Sequence, residues 1–133
     1  MTVTDPSHQK GAVSELLAAA YYASKGYQVY WPTIRQGPVD MVVESPEGKM
    51  LRVQVKTAVE NKSGPWTYIQ SRMLSTGKVK YGPADGKYDI AFVVHGDEMW
   101  AIPAVALKSS NISLGSNCPT YGGCQWDSYR VSR

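Results

Sequence analysis

Pro38-Val39-Asp40-Met41-Val42-Val43-Glu44, the turn Ser45-Pro46-Glu47-Gly48, and the return Met50-Leu51-Arg52-Val53-Gln54-Val55-Lys56-Thr57 form the stretch that orders the rest of the chain. Residues two apart on a strand share a face. Met41, Val43, Leu51, Val53 and Val55 therefore make one side of a hairpin apolar, while Asp40, Val42, Arg52, Gln54 and Lys56 make the other mostly polar. Pairing Glu44 with Met50 sets Val43 opposite Leu51 and Asp40 opposite Gln54. Pairing Glu44 with Lys49 sets Asp40 opposite Val53 and mixes the faces. A slip of one residue would carry the apolar set into water, so the first register, or an equivalent bulge, is expected.

In that register a carboxylate, an amide oxygen and an ammonium converge at Asp40, Gln54 and Lys56. Such a set suits a divalent cation, a phosphate and an attacking water. The plain alternative is an amphipathic hairpin whose polar face is solvated. Lys56 bears on the choice, because a lysine late in a central strand needs a partner. Site carboxylate, phosphate and metal-bound water would each serve. Gln54 is neutral, so the set holds one formal negative charge fewer than an all-acid version.

Upstream, Val13, Leu16, Leu17, Ala20 and Tyr21 recur at helical spacing, and the pattern predicts a helix from Lys10 to Lys25 stopped by Gly26. Glu15 lies beside its apolar face and either is solvated or reaches over the sheet toward a cation. Tyr27 to Trp31 reads as a strand ended by Pro32, and Val39 to Glu44 as the next. Downstream, Trp66 to Met73 is a candidate strand and Lys87 to His95 a buried one. Gly96-Asp97 turns the chain into a strand from Met99 to Ile102, and Pro103 to Leu107 begins a short helix or turn. After Lys108 the chain is rich in Ser, Gly, Asn and Pro and reads as largely loop. The expected division is a flexible leader over 1–9, a core over 10–108 and a loop-rich tail over 109–133. This order fits α+β or α/β packing around one mixed sheet in a single domain.

Hydrophobic residues make up 43% of the 133 and charged residues 19%, the balance of a chain that folds. No apolar run approaches the roughly 20 residues of a membrane span. The first ten residues lack a signal-peptide layout, from which a cytoplasmic protein is expected. A net charge of +3 and a pI near 8.8 are compatible with nucleic acid without demanding it. Cys118 and Cys124 have no second Cys or His pair at zinc spacing, and free thiols are expected. Arg35, Gln36, Arg52, Arg72, Lys78 and Lys80, interleaved with Trp66, Tyr68 and Tyr81, are candidates for phosphate contact. Tyr21, Tyr22, Phe92 and Trp100 read as packing.

Taken together, Lys10-Gly11 with Glu15, Gly26-Tyr27-Gln28-Val29, Pro38-Val39-Asp40 and Gln54-Val55-Lys56 resemble the PD-(D/E)xK, or restriction-endonuclease-like, nuclease superfamily. Tyr88-Asp89-Ile90-Ala91-Phe92 and Ile102-Pro103 add support, so the resemblance covers about the first 105 residues. Gln54 departs from the usual acid. A Gln-x-Lys version is similar to that of a cyanobacterial intron homing endonuclease and its relatives, whereas the opening Lys-Gly-x-x-x-Glu resembles archaeal-type Holliday-junction resolvases.

The resemblance implies a central mixed sheet flanked by helices and a Mg²⁺-dependent DNA endonuclease, with Mn²⁺ able to substitute. Asp40, Glu15, Gln54 and the Val55 carbonyl would hold the metal, and Lys56 would position or activate the water. The implied partner is double-stranded or branched DNA, met by a homodimer or higher oligomer because one subunit carries one site. The substrate is either a specific site, as in homing, or a junction. A DNA-binding module with a decayed site is the alternative from another class.

Overall fold

The computed structural model describes residues 6–34, 37–60, 67–70, 73–74, 80–81, 86–107, 111–114 and 123–132. Helix α1 (Pro6–Ser24) precedes β1 (Gln28–Tyr30), β2 (Met41–Glu44) and β3 (Met50–Thr57). Short strands β4 (Val59–Glu60), β5 (Thr67–Gln70), β6 (Met73–Leu74) and β7 (Lys80–Tyr81) follow, then β8 (Ile90–His95), β9 (Glu98–Pro103), β10 (Asn111–Leu114) and β11 (Arg130–Val131).

α1 begins four residues before the expected Lys10, at Pro6, whose fixed φ and missing N–H suit the first turn. Its end is built by Gly26 at φ +88°. There the Tyr27 and Gly26 amides reach back to the Tyr22 and Ala23 carbonyls at 3.0 and 3.1 Å. A side chain at Gly26 would also meet Pro46, 3.4 Å from its Cβ.

The hairpin takes the expected register, with Glu44 opposite Met50 and Val43 opposite Leu51. The turn fixes it: the Ser45 amide bonds the Lys49 carbonyl at 2.8 Å, the Lys49 amide bonds Ser45 Oγ at 3.0 Å, and Gly48 takes φ +92°. One six-stranded mixed sheet results, in the order β1-β2-β3-β8-β9-β11. Every pairing in it is antiparallel except β3 with β8.

α1 covers one face. There Ala18 and Tyr22 pack on Met41, Val43, Val53, Phe92, Val94 and Met99, and Phe92 lies 5.5 and 5.6 Å, ring to ring, from Tyr21 and Tyr22. The other face carries a second core of Ala91, Val93, Trp100 and Ile102 with Leu107, Leu114 and Trp126. Among the described residues that side has no α-helix. Its cover comes from β10, which joins β5 and β4 in a three-stranded sheet, and from 3-10 turns at Ala104–Ala106 and Gly123–Tyr129.

Within the tail, the described residues form β10, a 3-10 turn and β11. β11 closes the far edge of the main sheet against β9, and Leu114 and Trp126 are core residues. Apolar anchors this sparse, set among Ser, Gly and Asn, leave little periodic signal. Of the candidate strand from Trp66 to Met73, residues 67–70 form β5 and Met73 begins β6, and 66, 71 and 72 lie outside the described residues. The side chains of Cys118 and Cys124 lie outside the described residues.

Candidate active site

Asp40 sits where the ladder between β2 and β3 stops. Its amide donates to the Val53 carbonyl at 2.8 Å, and its Oδ2 accepts from the Val55 amide at 2.7 Å. β2 thus starts at Met41 rather than Val39, because Asp40 replaces one backbone rung with its side chain. The N–H and C=O of a strand residue point toward the same neighbour. The Val55 carbonyl accordingly faces the edge that Asp40 occupies.

Lys56 is half-buried. Burial pushes its ammonium below the ordinary lysine value, and the negative charge of Asp40 pulls it partly back. Gln54, two residues earlier on the same face, is only 2% exposed. Its backbone is paired with β8 opposite Ala91, while its Oε1 atom is buried and accepts no hydrogen bond. Asp40, Gln54 and Lys56 come together on the sheet face away from α1. That face is not merely solvated: exposure falls from 45% at Tyr30 on β1 to 2% at Gln54.

Glu15 rides on α1, on the other face. Ser14 Oγ meets Thr57 Oγ1 at 2.7 Å, which pins the helix over the end of β3. Leu17 lines a groove with Val94 and His95 on the β8 side, and half-buried Glu15, two residues earlier, lies on the other flank of the helix. Among the described residues no group of three or more His, Cys, Asp or Glu gathers at metal-binding distance.

Arg52 has a structural partner. Its Nε and Nη2 fork onto Asp89 at 3.1 and 2.9 Å, and its amide donates to Asp89 Oδ2 at 2.8 Å. The guanidinium and the paired backbone hold the Asp89 carboxyl below its usual range. Arg35, Gln36, Arg72 and Lys78, with the side chain of Lys80, lie outside the described residues. Sequence reasoning missed Tyr30, whose hydroxyl donates to Glu44 Oε1 at 2.8 Å on the same face as Asp40. Parity from the β1–β2 pairing was the signal available. It also missed the Ser14–Thr57 anchor, which has no sequence signal because it joins distant elements.

Asp40 thus stands at the end of a strand ladder beside Gln54-Val55-Lys56, on a mixed sheet whose other face is covered by α1. The chain belongs to the PD-(D/E)XK endonuclease family, whose model matches residues 6–120. It is 37% identical over 92 residues to Protein 5.3 of Escherichia phage T7, a match spanning 69% of this chain and 75% of that protein. Its fold is similar to that of a bacterial homing endonuclease, I-Ssp6803I. The TM-score is 0.80 at 20% sequence identity, over 95% of this chain and 89% of the other.

Proposed function

We propose that this protein is a Mg²⁺-dependent DNA endonuclease that hydrolyses phosphodiester bonds in double-stranded or branched DNA. The observation that carries this reading is the shared face of Asp40 and Lys56, set at the end of a strand ladder and bordered by buried Gln54. The donors offered there are hard oxygens: the Asp40 carboxylate, the Gln54 amide oxygen and the Val55 carbonyl. Such a set fits Mg²⁺, or Mn²⁺, which retains several waters and takes one or two carboxylates from protein. Glu15 is the second acid, reaching from α1.

When bound, the cation supplies Lewis acidity at the phosphoryl oxygen and lowers the pKa of a coordinated water. The chain's own residues do the rest. The Val55 amide fixes the orientation of Asp40. Lys56 presents an ammonium to the charge that grows on the phosphate during in-line attack, in a half-buried setting that strengthens the interaction. Gln54 keeps the floor of the site dry and offers its amide oxygen to metal or water.

Incubation with supercoiled plasmid, linear duplex and a synthetic four-way junction tests the reading. Cleavage should require Mg²⁺, stop with EDTA and vanish in Asp40→Asn. Preference between duplex and junction separates site-specific from junction cutting. Failure of the wild-type protein to cut any of the three while still binding DNA would instead mark a binding module with a decayed site, and unchanged cutting by Asp40→Asn would remove Asp40 from the catalytic set.

A further inference from the structure

Helix α1 docks on the sheet through apolar groups, with Ala18 and Tyr22 seated on the core beneath them. One polar contact interrupts that interface. Ser14 is 2% exposed, and its hydroxyl meets Thr57 Oγ1 at 2.7 Å. A buried hydroxyl pair adds little net stability over a well-packed apolar one, whereas it defines one relative placement of the two elements. Its location sets it apart. Ser14 precedes Glu15, and Thr57 follows Lys56 and closes β3.

That end of β3 is held on fewer sides than its start. The ladder with β2 stops at Met41 opposite Val53, so among the described residues Gln54 to Thr57 keep β8 alone as a strand neighbour, from Ala91 to Val94. On the β2 side the Val55 amide bonds the Asp40 side chain instead. On the α1 side the hold comes from the Ser14 hydroxyl.

We propose that Ser14 and Thr57 are a positioning pair for the site: their hydroxyl bond holds the Lys56 end of β3, and the turn of α1 that carries Glu15, in one fixed relation. This rests on the nuclease reading and adds to it two residues that act from behind the site face. Thr57 alternates with Lys56 and points to the α1 side, so the pair works through backbone placement. A rate that depends on close alignment of ammonium and phosphate is sensitive to such placement.

The double variant Ser14→Ala/Thr57→Val removes both hydroxyls and leaves neither partner unsatisfied, whereas Thr57→Ser keeps the bond. Three readouts are taken well below the melting transition: single-turnover cleavage with Mg²⁺ in excess, DNA affinity without Mg²⁺, and amide hydrogen exchange without DNA or metal. The double variant should melt close to wild type and bind DNA equally. Its cleavage rate should fall about tenfold or more. Exchange of the amides in residues 54–57 should quicken about tenfold, while that of residues 51–53 stays as in wild type. Thr57→Ser should match wild type in all three readouts. Wild-type cleavage and exchange in the double variant overturn the proposal and leave the pair a helix anchor. Slower cleavage with quicker exchange throughout the sheet also overturns it, since that marks general loosening. Slow cleavage by Thr57→Ser does the same, because the hydroxyl is kept. In each of these cases cleavage by the wild type keeps the nuclease reading. A wild type that cuts no substrate removes that reading, and the positioning role with it.

Discussion

The Val55 amide donates to Asp40 Oδ2 at 2.7 Å, across the gap left just before β2 begins, where β3 continues. A carboxylate fixed by a backbone donor of the central strand cannot swing away. Its position is set by the same ladder that positions Gln54 and Lys56. Asp40→Ala should therefore lose cleavage and also leave a part-buried amide without its acceptor, costing about 1–3 kcal/mol. Asp40→Asn can keep that bond through its amide oxygen, so it should melt closer to wild type while still inactive. Parallel melting and cleavage assays on the two variants separate the roles.

Lys56 should titrate below 10.5, the value of an unburied lysine. If cleavage needs the ammonium, the rate falls on an alkaline limb that starts below that value. Removing the Asp40 charge takes away the influence that raises the Lys56 pKa, so Asp40→Asn should lower it further. NMR titration of the Lys56 Nζ in both proteins checks the direction. The stability effect has a fixed sign. Between the depressed native value and 10.5 the unfolded chain binds more protons, so stability rises with pH through that window and is reduced below it. Lys56→Met should relieve the cost of burial and raise the melting temperature at neutral pH while reducing cleavage by about 10²–10³-fold.

Gln54→Glu places a carboxylate where only 2% of the residue is exposed. Without divalent cation the variant should be destabilised by burial of charge. Added Mg²⁺ should raise its melting temperature more than that of wild type, because it then holds one more anionic oxygen ligand. Equal Mg²⁺ responses in the two proteins would remove Gln54 from the cation site.

Arg52 and Asp89 join the start of β3 to the segment entering β8 through paired backbone bonds as well as a forked ion pair. The Asp89 carboxyl is held down by its partners, so its contribution to stability is present above about pH 4, near its unfolded value, and is lost as pH falls through the native one. Asp89→Asn should flatten the acid side of the stability curve, read by melting between pH 2 and 6. Arg52→Ala should change melting more than DNA affinity.

Phe92 is fully buried between the sheet and the Tyr21 and Tyr22 rings. Phe92→Ala should cost about 3–5 kcal/mol. Denaturant unfolding measures it, with the loss in midpoint expected at an unchanged slope.

Much of this arrangement is legible from period-two patterning. Met41 to Val55 carry one apolar face, and only one register keeps it inside, so Asp40 opposite Gln54 follows from the demands of the core. Less of the second layer is legible. Leu114 and Trp126 each stand in polar surroundings, and a single apolar residue has no period to detect. Glu15 shows the same limit from another side. Helical spacing places it on a flank of α1, but which flank turns to β2 depends on how Leu17 and Tyr21 settle over β8, a tertiary fact. Arg52 reads as a surface cation until Asp89, far along the chain, is brought beside it.

The parallel union of β3 with β8 has a kinetic corollary. Residues 58–89 must complete their excursion before Ala91 and Val93 can lie alongside Gln54 and Lys56, and closing so long a loop is slow relative to zipping a hairpin. The β2–β3 hairpin can form early, but its polar residues remain in water until β8 arrives. During synthesis the chain acquires the outline of the candidate site before its buried floor, which waits on the arrival of β8.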